Sequence, residues 1–406
     1  MNSIKKILDS IFARISVKHK WQQDFLLELF TLIFSIQGRV NYCNLARFSK
    51  YNESTFRRNF KKFFDWLNFN LQIMHLAGLR FSKTVIAVVD CSYIPKAGKQ
   101  TFGLDKFWSG VAGRNKKGLE ISLLSLIDVK AAKAWTLSVK QTPAKLSAKQ
   151  GSSSDYTRID FYLNQIVELL PKLRQVIYFV ADGYYAKTKV FNTLRQNDKY
   201  LITKLRPDAN LRFLYKGPHP KGKKGRKTEY AGKVNWKELD LRKWQSLGAD
   251  YKYPHLSIYT CILNSPYFKC NFRIVLLINK RSNKYILLAS TDLHLNARII
   301  VKYYQLRFKI EFIFRDAKQF TGLTQCQARN EKSLNFHFNM SLTAINLLQL
   351  NMKCDSTIHS MNSFVRKAYN TRFANFLFSQ LSPKAEFNLK HPLLETVLNF
   401  GCLKRA

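Results

Sequence analysis

The chain has 406 residues, more than one ordinary hydrophobic core accommodates, so two or three structural units are expected. Its 67 Lys and Arg against 26 Asp and Glu give a formal net charge of +41, which points to a polyanion as partner. No apolar run reaches the roughly 18–20 residues that span a bilayer, and seven scattered cysteines without a CxxC pair exclude a disulfide framework and a cysteine zinc site. The eight histidines are equally dispersed, so any metal must be held by oxygen. A reducing, cytoplasmic setting without a membrane partner is the expectation.

The opening MNSIKKILDSIFARISVKH sets Ile4, Ile7, Leu8, Ile11, Phe12 and Ile15 on one helical face, the pattern of a packed N-terminal helix and not of a cleaved leader. Residues 1–80 read as helical throughout. Within them, LARFSKYNESTFRRNFKKFFDWL predicts a short helix, a turn from Ser49 to Glu53, and a second helix over 54–67 capped by Ser54. Phe56, Phe60, Phe63, Phe64 and Leu67 share its apolar face, while Arg57, Arg58, Lys61 and Lys62 fall away from it. That arrangement suits a helix-turn-helix in a DNA groove, and it equally suits a solvated face on a small bundle.

From residue 84 the texture changes. VIAVVDCSY, GLEISLLSLIDV and AWTLSVKQT are three strand-length apolar runs, followed by a helix over 157–170, the strand in QVIYFVAD, a further helix, and the strand YLITKL. The order is α/β. Residues 206–290 hold short strands and the segment KGPHPKGKKGRK, with six Lys or Arg in twelve residues, including Lys223, Lys224 and Arg226. Such a segment reads as a solvated loop or as one that tracks phosphates. After YILLASTD comes a long helix from about Ala297, then helical sequence to the end.

An acid that ends a buried strand needs an explanation, because an unpaired carboxylate among apolar neighbours is costly to desolvate. Asp90 ends VIAVVD and Asp182 ends YFVAD; taken singly, each could be a turn or cap residue. If the two strands are parallel neighbours, both carboxylates emerge at one sheet edge, where two oxygens can hold a hard cation. On the helix beyond Ala297, Tyr304, Arg307, Glu311 and Lys318 fall within about 60° of one another. Glu311 could be half of an ion-paired helix face. A third carboxylate beside two cations and a phenol also suits phosphodiester chemistry.

Those residues carry a resemblance. Asp90, Asp182 and Glu311, with the spacing Y-x2-R-x3-E-x6-K at Tyr304, Arg307, Glu311 and Lys318, resemble the acidic triad and YREK signature of DDE transposases of bacterial insertion sequences, the insertion-sequence family four group. The GLEISLLSLIDV strand, the ADGYYAK turn and the STDL segment are similar to that family too, so the likeness covers about residues 84–352. It implies an RNase H-like catalytic core (81–205 and 291–352) interrupted by a β-rich insertion (206–290), with an N-terminal helical DNA-binding domain (1–80) and a C-terminal helical region (353–406). The three acids are implied as catalytic ligands of two Mg²⁺ ions, with Mn²⁺ as the alternative. Tyr304, Arg307 and Lys318 are implied to contact transposon-end phosphates, and Tyr285, in the position of a family aromatic best known as tryptophan, to stack on a flipped base.

The activity implied is cutting at element ends and joining of the 3′-hydroxyl ends to target DNA, by a homodimer on double-stranded DNA at the bacterial nucleoid, with no small-molecule substrate. A nuclease on the same core without strand transfer, and a non-catalytic DNA-binding regulator, are the rival readings. The 54–67 helix is the candidate for end-sequence readout and the 216–227 loop for backbone contact. Lys96, Lys99, Arg114, Lys116 and Lys117 are candidates to line the DNA path, whereas Trp108 reads as packing.

Overall fold

The computed structural model describes residues 2–15, 19–79, 84–146, 156–218, 228–354, 360–381, 394, 397 and 398. The N-terminal region is helical, as its periodicity predicts. α1 (Asn2–Phe12) buries Ile4, Leu8, Ile11 and Phe12, and α2 (Lys20–Ser35) is apolar on most sides and correspondingly buried. α3 (Tyr42–Arg47) is capped by Asn41, whose side chain accepts from the Asn44 amide. α4 (Glu53–Asn59) and α5 (Trp66–Leu76) follow.

The helix expected over 54–67 is therefore shorter and starts earlier. Its cap is Asn52, not Ser54: Asn52 Oδ1 accepts from the Thr55 amide at 2.9 Å and from the Ser54 hydroxyl at 2.8 Å. It ends because the Lys61 and Lys62 amides turn back to the carbonyls of Arg58 and Asn59, a tightened i→i+3 turn, and Asp65 then caps α5 through the Asn68 amide. Aromatic packing holds the turn, with Phe60 against Phe336 at 4.5 Å and Phe64 against Trp66 at 4.7 Å. Phe63, expected on the buried face, is 87% exposed as a result.

Next comes a mixed sheet. β1 (Val85–Pro95), β2 (Asp105–Ser109), β3 (Arg114–Asp128) and β4 (Lys133–Gln141) form its first antiparallel part. α6 (Arg158–Leu169), β5 (Tyr178–Ala181), α7 (Thr188–Gln196) and β6 (Tyr200–Leu205) follow in the order read from the sequence. β1 pairs antiparallel with β3 and parallel with β5, and β5 pairs parallel with β6. The central run β4-β3-β1-β5-β6 is thus antiparallel on one side of β1 and parallel on the other. Its strands are apolar along most of their length because both faces are covered.

β7 (Arg212–Leu214), β8 (Tyr230–Lys233), β9 (Gln245–Ala249), β10 (Leu256–Ser265), β11 (Cys270–Asn279) and β12 (Tyr285–Ser290) extend this sheet, with β12 antiparallel to β6. β2 and β7 to β9 are only three to five residues long, so no period marked them in the sequence. Trp108, expected to be packed, stands 60% exposed on β2, because its neighbour Phe107 takes the buried side of that strand.

α8 (Ala297–Leu306), α9 (Lys309–Phe320), α10 (Glu331–Cys354) and α11 (Met361–Leu381) complete the chain. The single helix expected from Ala297 divides at Arg307 and Phe308, where the Ile310 and Glu311 amides bond to Arg307 and Phe308 carbonyls three residues back. α10 is buried nearly all round and is tied to the sheet by Asn346. Leu137 forms a bulge in β4, and Asn346 pairs the neighbouring Thr136 amide at 2.9 Å and carbonyl at 2.8 Å while donating to Asn70 of α5 at 3.0 Å. Among the described residues no helix is long and apolar enough to cross a membrane.

Candidate active site at one edge of the sheet

The β1–β5 register, Ala87 opposite Phe179 and Val88 opposite Val180, carries on to set Asp90 opposite Asp182, the residue that follows β5. The parallel pairing anticipated from the sequence is present. Asp90 Oδ1 accepts from the Cys91 amide at 2.8 Å. Asp182 caps a single 3-10 turn, Gly183–Tyr185, by accepting from the Tyr184 amide at 3.0 Å, and its carbonyl takes the Thr203 hydroxyl of β6 at 2.8 Å. Both carboxylates are thereby fixed by local backbone geometry before any long-range contact is considered.

Glu311 arrives from the far end of the chain, in the first turn of α9. One guanidinium joins it to the sheet: Arg307 donates to Asp90 Oδ2 at 3.0 Å and to Glu311 Oε1 at 2.9 Å. Two bonds across one planar guanidinium bring these carboxylate oxygens within roughly 8 Å of each other. The tightened turn between α8 and α9 leaves Arg307 four residues before Glu311 and on the same side, so the interruption of the helix does not scatter the stripe. Tyr304 lies beside Arg307, with its ring centre 5.7 Å from the guanidinium carbon. Lys318 donates to Ser92 Oγ at 2.9 Å, two residues along β1 from Asp90 and on the same face of the strand.

The electrostatics follow from burial and an excess of acids. Burial pushes the Asp90 carboxyl up to about 7; Arg307 pulls it down, but the nearby charges of Asp182 and Glu311 push it up again. Burial also raises Asp182, against its bond from Tyr184 and the field of Arg307. Burial disfavours the Arg307 charge, yet Asp90, Tyr304 and Glu311 outweigh it and hold the guanidinium above its ordinary value. Burial lowers Lys318 and raises Tyr304. Arg307 Nε is buried and has no hydrogen-bond partner among the described residues.

Behind the acids lies a network the sequence reading missed. Glu120 of β3, 7% exposed, accepts from the Tyr162 hydroxyl and from the Thr142 hydroxyl at 2.9 Å, and the Cys91 sulfur lies 3.5 Å from the Tyr185 hydroxyl. Burial raises Glu120 despite these bonds. The signal that singles out Asp90, an acid inside an apolar run, is also present at Glu120 in GLEISLL. Glu120 stands opposite Tyr93 and so lies, with Cys91, on the face of β1 and β3 away from Asp90, where its hydroxyl partners hold it.

The other expected site residues are dispersed. Tyr285 lies where β12 begins, which the antiparallel pairing with β6 places at the edge where β5 and β6 end. Its ring stacks on Trp236 at 5.8 Å and its hydroxyl donates to the Pro207 carbonyl at 2.9 Å. Arg57 is paired with Glu53 and lies 4.9 Å over the Tyr42 ring, while Lys62 sits 3.6 Å over the Trp21 ring. Arg58 and Lys61 are exposed. Lys223, Lys224 and Arg226 lie outside the described residues.

Among the described residues, no three His, Cys, Asp or Glu side chains close on one point as a finished metal cage. The donor set nevertheless suits a hard divalent cation. It offers carboxylate oxygen only, and Asp90 and Glu311 share one bonded guanidinium with Asp182 nearby, which leaves the buried Asp90 short of positive charge.

Known proteins set this geometry in context. No curated protein matches the chain. Among solved structures, the fold is similar to the piggyBac transposase seen by cryo-EM in a synaptic complex with hairpin DNA. That match has 12% sequence identity and a TM-score of 0.46, over 98% of this chain and 83% of that one. The model of the DDE superfamily endonucleases matches residues 16–255, a span that includes Asp90 and Asp182 and stops short of Glu311. That span is more than half of the sequence, and the chain belongs to the DDE superfamily endonuclease family.

Proposed function

We propose that this chain is a DNA transposase of the insertion-sequence family four, YREK-signature group, which cuts at element ends and joins the resulting 3′-hydroxyls to target DNA. The observation that carries the reading is the Arg307 bridge, which brings Glu311 of α9 to Asp90 of β1, beside the strand end that bears Asp182. In this reading the β4-β3-β1-β5-β6 run with α9 is the RNase H-like core, residues 206–290 are its β-rich insertion, residues 1–80 are the DNA-binding region, and residues 353–406 are the C-terminal helical region. A homodimer holding two element ends is part of the same proposal.

Asp90, Asp182 and Glu311 are the residues that would hold two Mg²⁺ ions, or Mn²⁺ in their place, which when bound activate the attacking water or 3′-hydroxyl and stabilise the leaving oxygen. Arg307 bridges Asp90 and Glu311 and offsets part of their charge in the absence of substrate. Lys318, held on Ser92, and Tyr304, beside Arg307, add a second cation and a phenol on the same side. The Glu120, Tyr162, Cys91 and Tyr185 network packs the opposite face of the same strands. Tyr285, at that edge with Trp236 beneath it, is the aromatic read as a stack for a displaced base.

The test is strand transfer: purified protein, Mg²⁺, a duplex carrying the element's end, and a supercoiled plasmid. Cut and joined product is the expected outcome, lost in Asp90→Asn, Asp182→Asn and Glu311→Gln with DNA binding retained. Cut ends without joining would replace transposase by nuclease, and shifted but uncut duplex would replace it by a regulator.

A further inference from the structure

A cleft of about 1260 Å³ opens where the loop before α3, the end of α4, the segment after β1 and the loop before α10 meet. Its cations are Arg39, Arg57, Lys61, Lys96 and Arg329, and no carboxylate is among the described residues that line it. We propose that this cleft is the track along which one sugar-phosphate backbone of duplex DNA runs toward the catalytic edge; the inference rests on the DNA-cutting reading above and gives it a path.

Three features support this occupant. The first is uncompensated charge. Arg39, Lys61 and Arg329 are exposed and form no ion pair among the described residues, and no carboxylate among the described residues lining the cleft offsets them. Burial lowers Lys96, the Cys326 thiol opposes that, and the neighbouring Arg329 charge adds to it, so two cations are held close at the cleft. Like charges assembled in this way favour a polyanion.

The second is rigidity. The Val40 amide donates to Gln325 Oε1 at 2.6 Å, the Phe102 amide donates to the Arg329 carbonyl at 2.9 Å, and Lys96 donates to the Cys326 carbonyl. These bonds span segments far apart in sequence and fix the walls before a ligand arrives. The third is alignment. Pro95 and Lys96 follow Asp90 along β1 by five and six residues, roughly 17–20 Å at strand rise, or about five to six base pairs of duplex. Ser92 and Lys318 lie between the acids and the cleft.

The cleft also divides the four cations of the 54–67 segment, which its sequence left equivalent. Arg57 and Lys61 face it; Arg58 and Lys62 do not line it, and Lys62 is engaged with Trp21.

The experiment measures binding of a fluorescein-labelled duplex of about 30 base pairs to the full chain by anisotropy across a KCl series, where each phosphate contact contributes about 0.9 to the slope of log K against log salt. Wild type is compared with Arg39→Gln/Lys61→Gln/Arg329→Gln and with Arg58→Gln/Lys62→Gln. The cleft variant is expected to lose roughly 2–3 from the slope and at least tenfold in affinity near 0.2 M salt, with the second variant close to wild type. A wild-type slope in the cleft variant overturns the proposal, as does an equal loss in Arg58→Gln/Lys62→Gln. Should the triple variant melt early, the three single variants replace it, each expected to lose about one from the slope. Cleavage by wild type but not by Asp90→Asn, alongside an unchanged cleft-variant slope, rejects the track and leaves the DNA-cutting reading intact. A wild type that neither binds nor cuts DNA removes both.

Discussion

Asp90→Asn should stabilise the metal-free protein, and increasingly so as pH rises. Asp90 is ionised against burial and against Asp182 and Glu311, with Arg307 as its one directly bonded cation among the described residues, and its carboxyl is pushed up to about 7. A tenfold change in proton affinity is worth roughly 1.4 kcal/mol. Displacement from the ordinary carboxylate range to about 7 therefore costs on the order of 3–4 kcal/mol when the group is charged, after a modest discount for a side chain that is 20% exposed. The sign follows from which state holds the proton. Between the unfolded value and about 7 the folded state binds it more tightly, so stability from this group is complete below about pH 4 and is lost as pH rises through about 7. Asparagine has no proton to lose; its single carbonyl replaces two accepting oxygens, so the Cys91 amide or Arg307 loses a bond, a cost that is the same at pH 4 and pH 8 and leaves the pH dependence of the gap intact. In urea denaturation with EDTA, the gap between Asp90→Asn and wild type should widen by about 3–4 kcal/mol from pH 4 to pH 8. A gap that stays flat, or that moves against the variant as pH rises, would refute the reasoning.

Three further outcomes are expected. Asn346→Ala strands the Thr136 amide and carbonyl and the Asn70 side chain in the core, and should cost about 3–5 kcal/mol in urea denaturation; a loss under about 1 kcal/mol would show that these groups find other partners. Asn52→Ala should cost about 1 kcal/mol of stability while Ser54→Ala stays within about 0.5 kcal/mol, and the reverse order would restore Ser54 as the α4 cap. Lys318→Ala should weaken binding to an end-bearing duplex by about tenfold with the melting temperature unchanged, and wild-type affinity would remove Lys318 from the phosphate contacts.

Much of the site was legible because desolvation makes a strand-ending acid conspicuous. Asp90 and Asp182 stood out against continuous apolar runs, and the parallel pairing of β1 with β5 turns that one-dimensional oddity into a shared edge. The Tyr304, Arg307, Glu311 and Lys318 stripe holds although its helix breaks at Arg307 and Phe308, because both residues keep right-handed backbone and the tightened turn preserves the facing. Helix ends were less legible. A cap belongs to whichever side chain reaches the free amides first, and Asn52 precedes Ser54. Phe63 shows that aromatic spacing alone does not fix a face when Phe60, Phe64 and Trp66 find better partners around Phe336. The strands β2 and β7 to β9, three to five residues long, are too short to carry a period. The cationic cleft was hidden for a different reason: Arg39, Lys61, Lys96 and Arg329 come from separate segments, and only the fold puts them side by side.

The most direct test of the central claim is an anomalous-scattering experiment on crystals soaked with Mn²⁺. Density bound at about 2.1 Å from carboxylate oxygens of Asp90, Asp182 and Glu311 together, with Arg307 turned from at least one of them, is the result expected. Mn²⁺ bound elsewhere, or at only one of the three acids under saturating metal, would contradict the account.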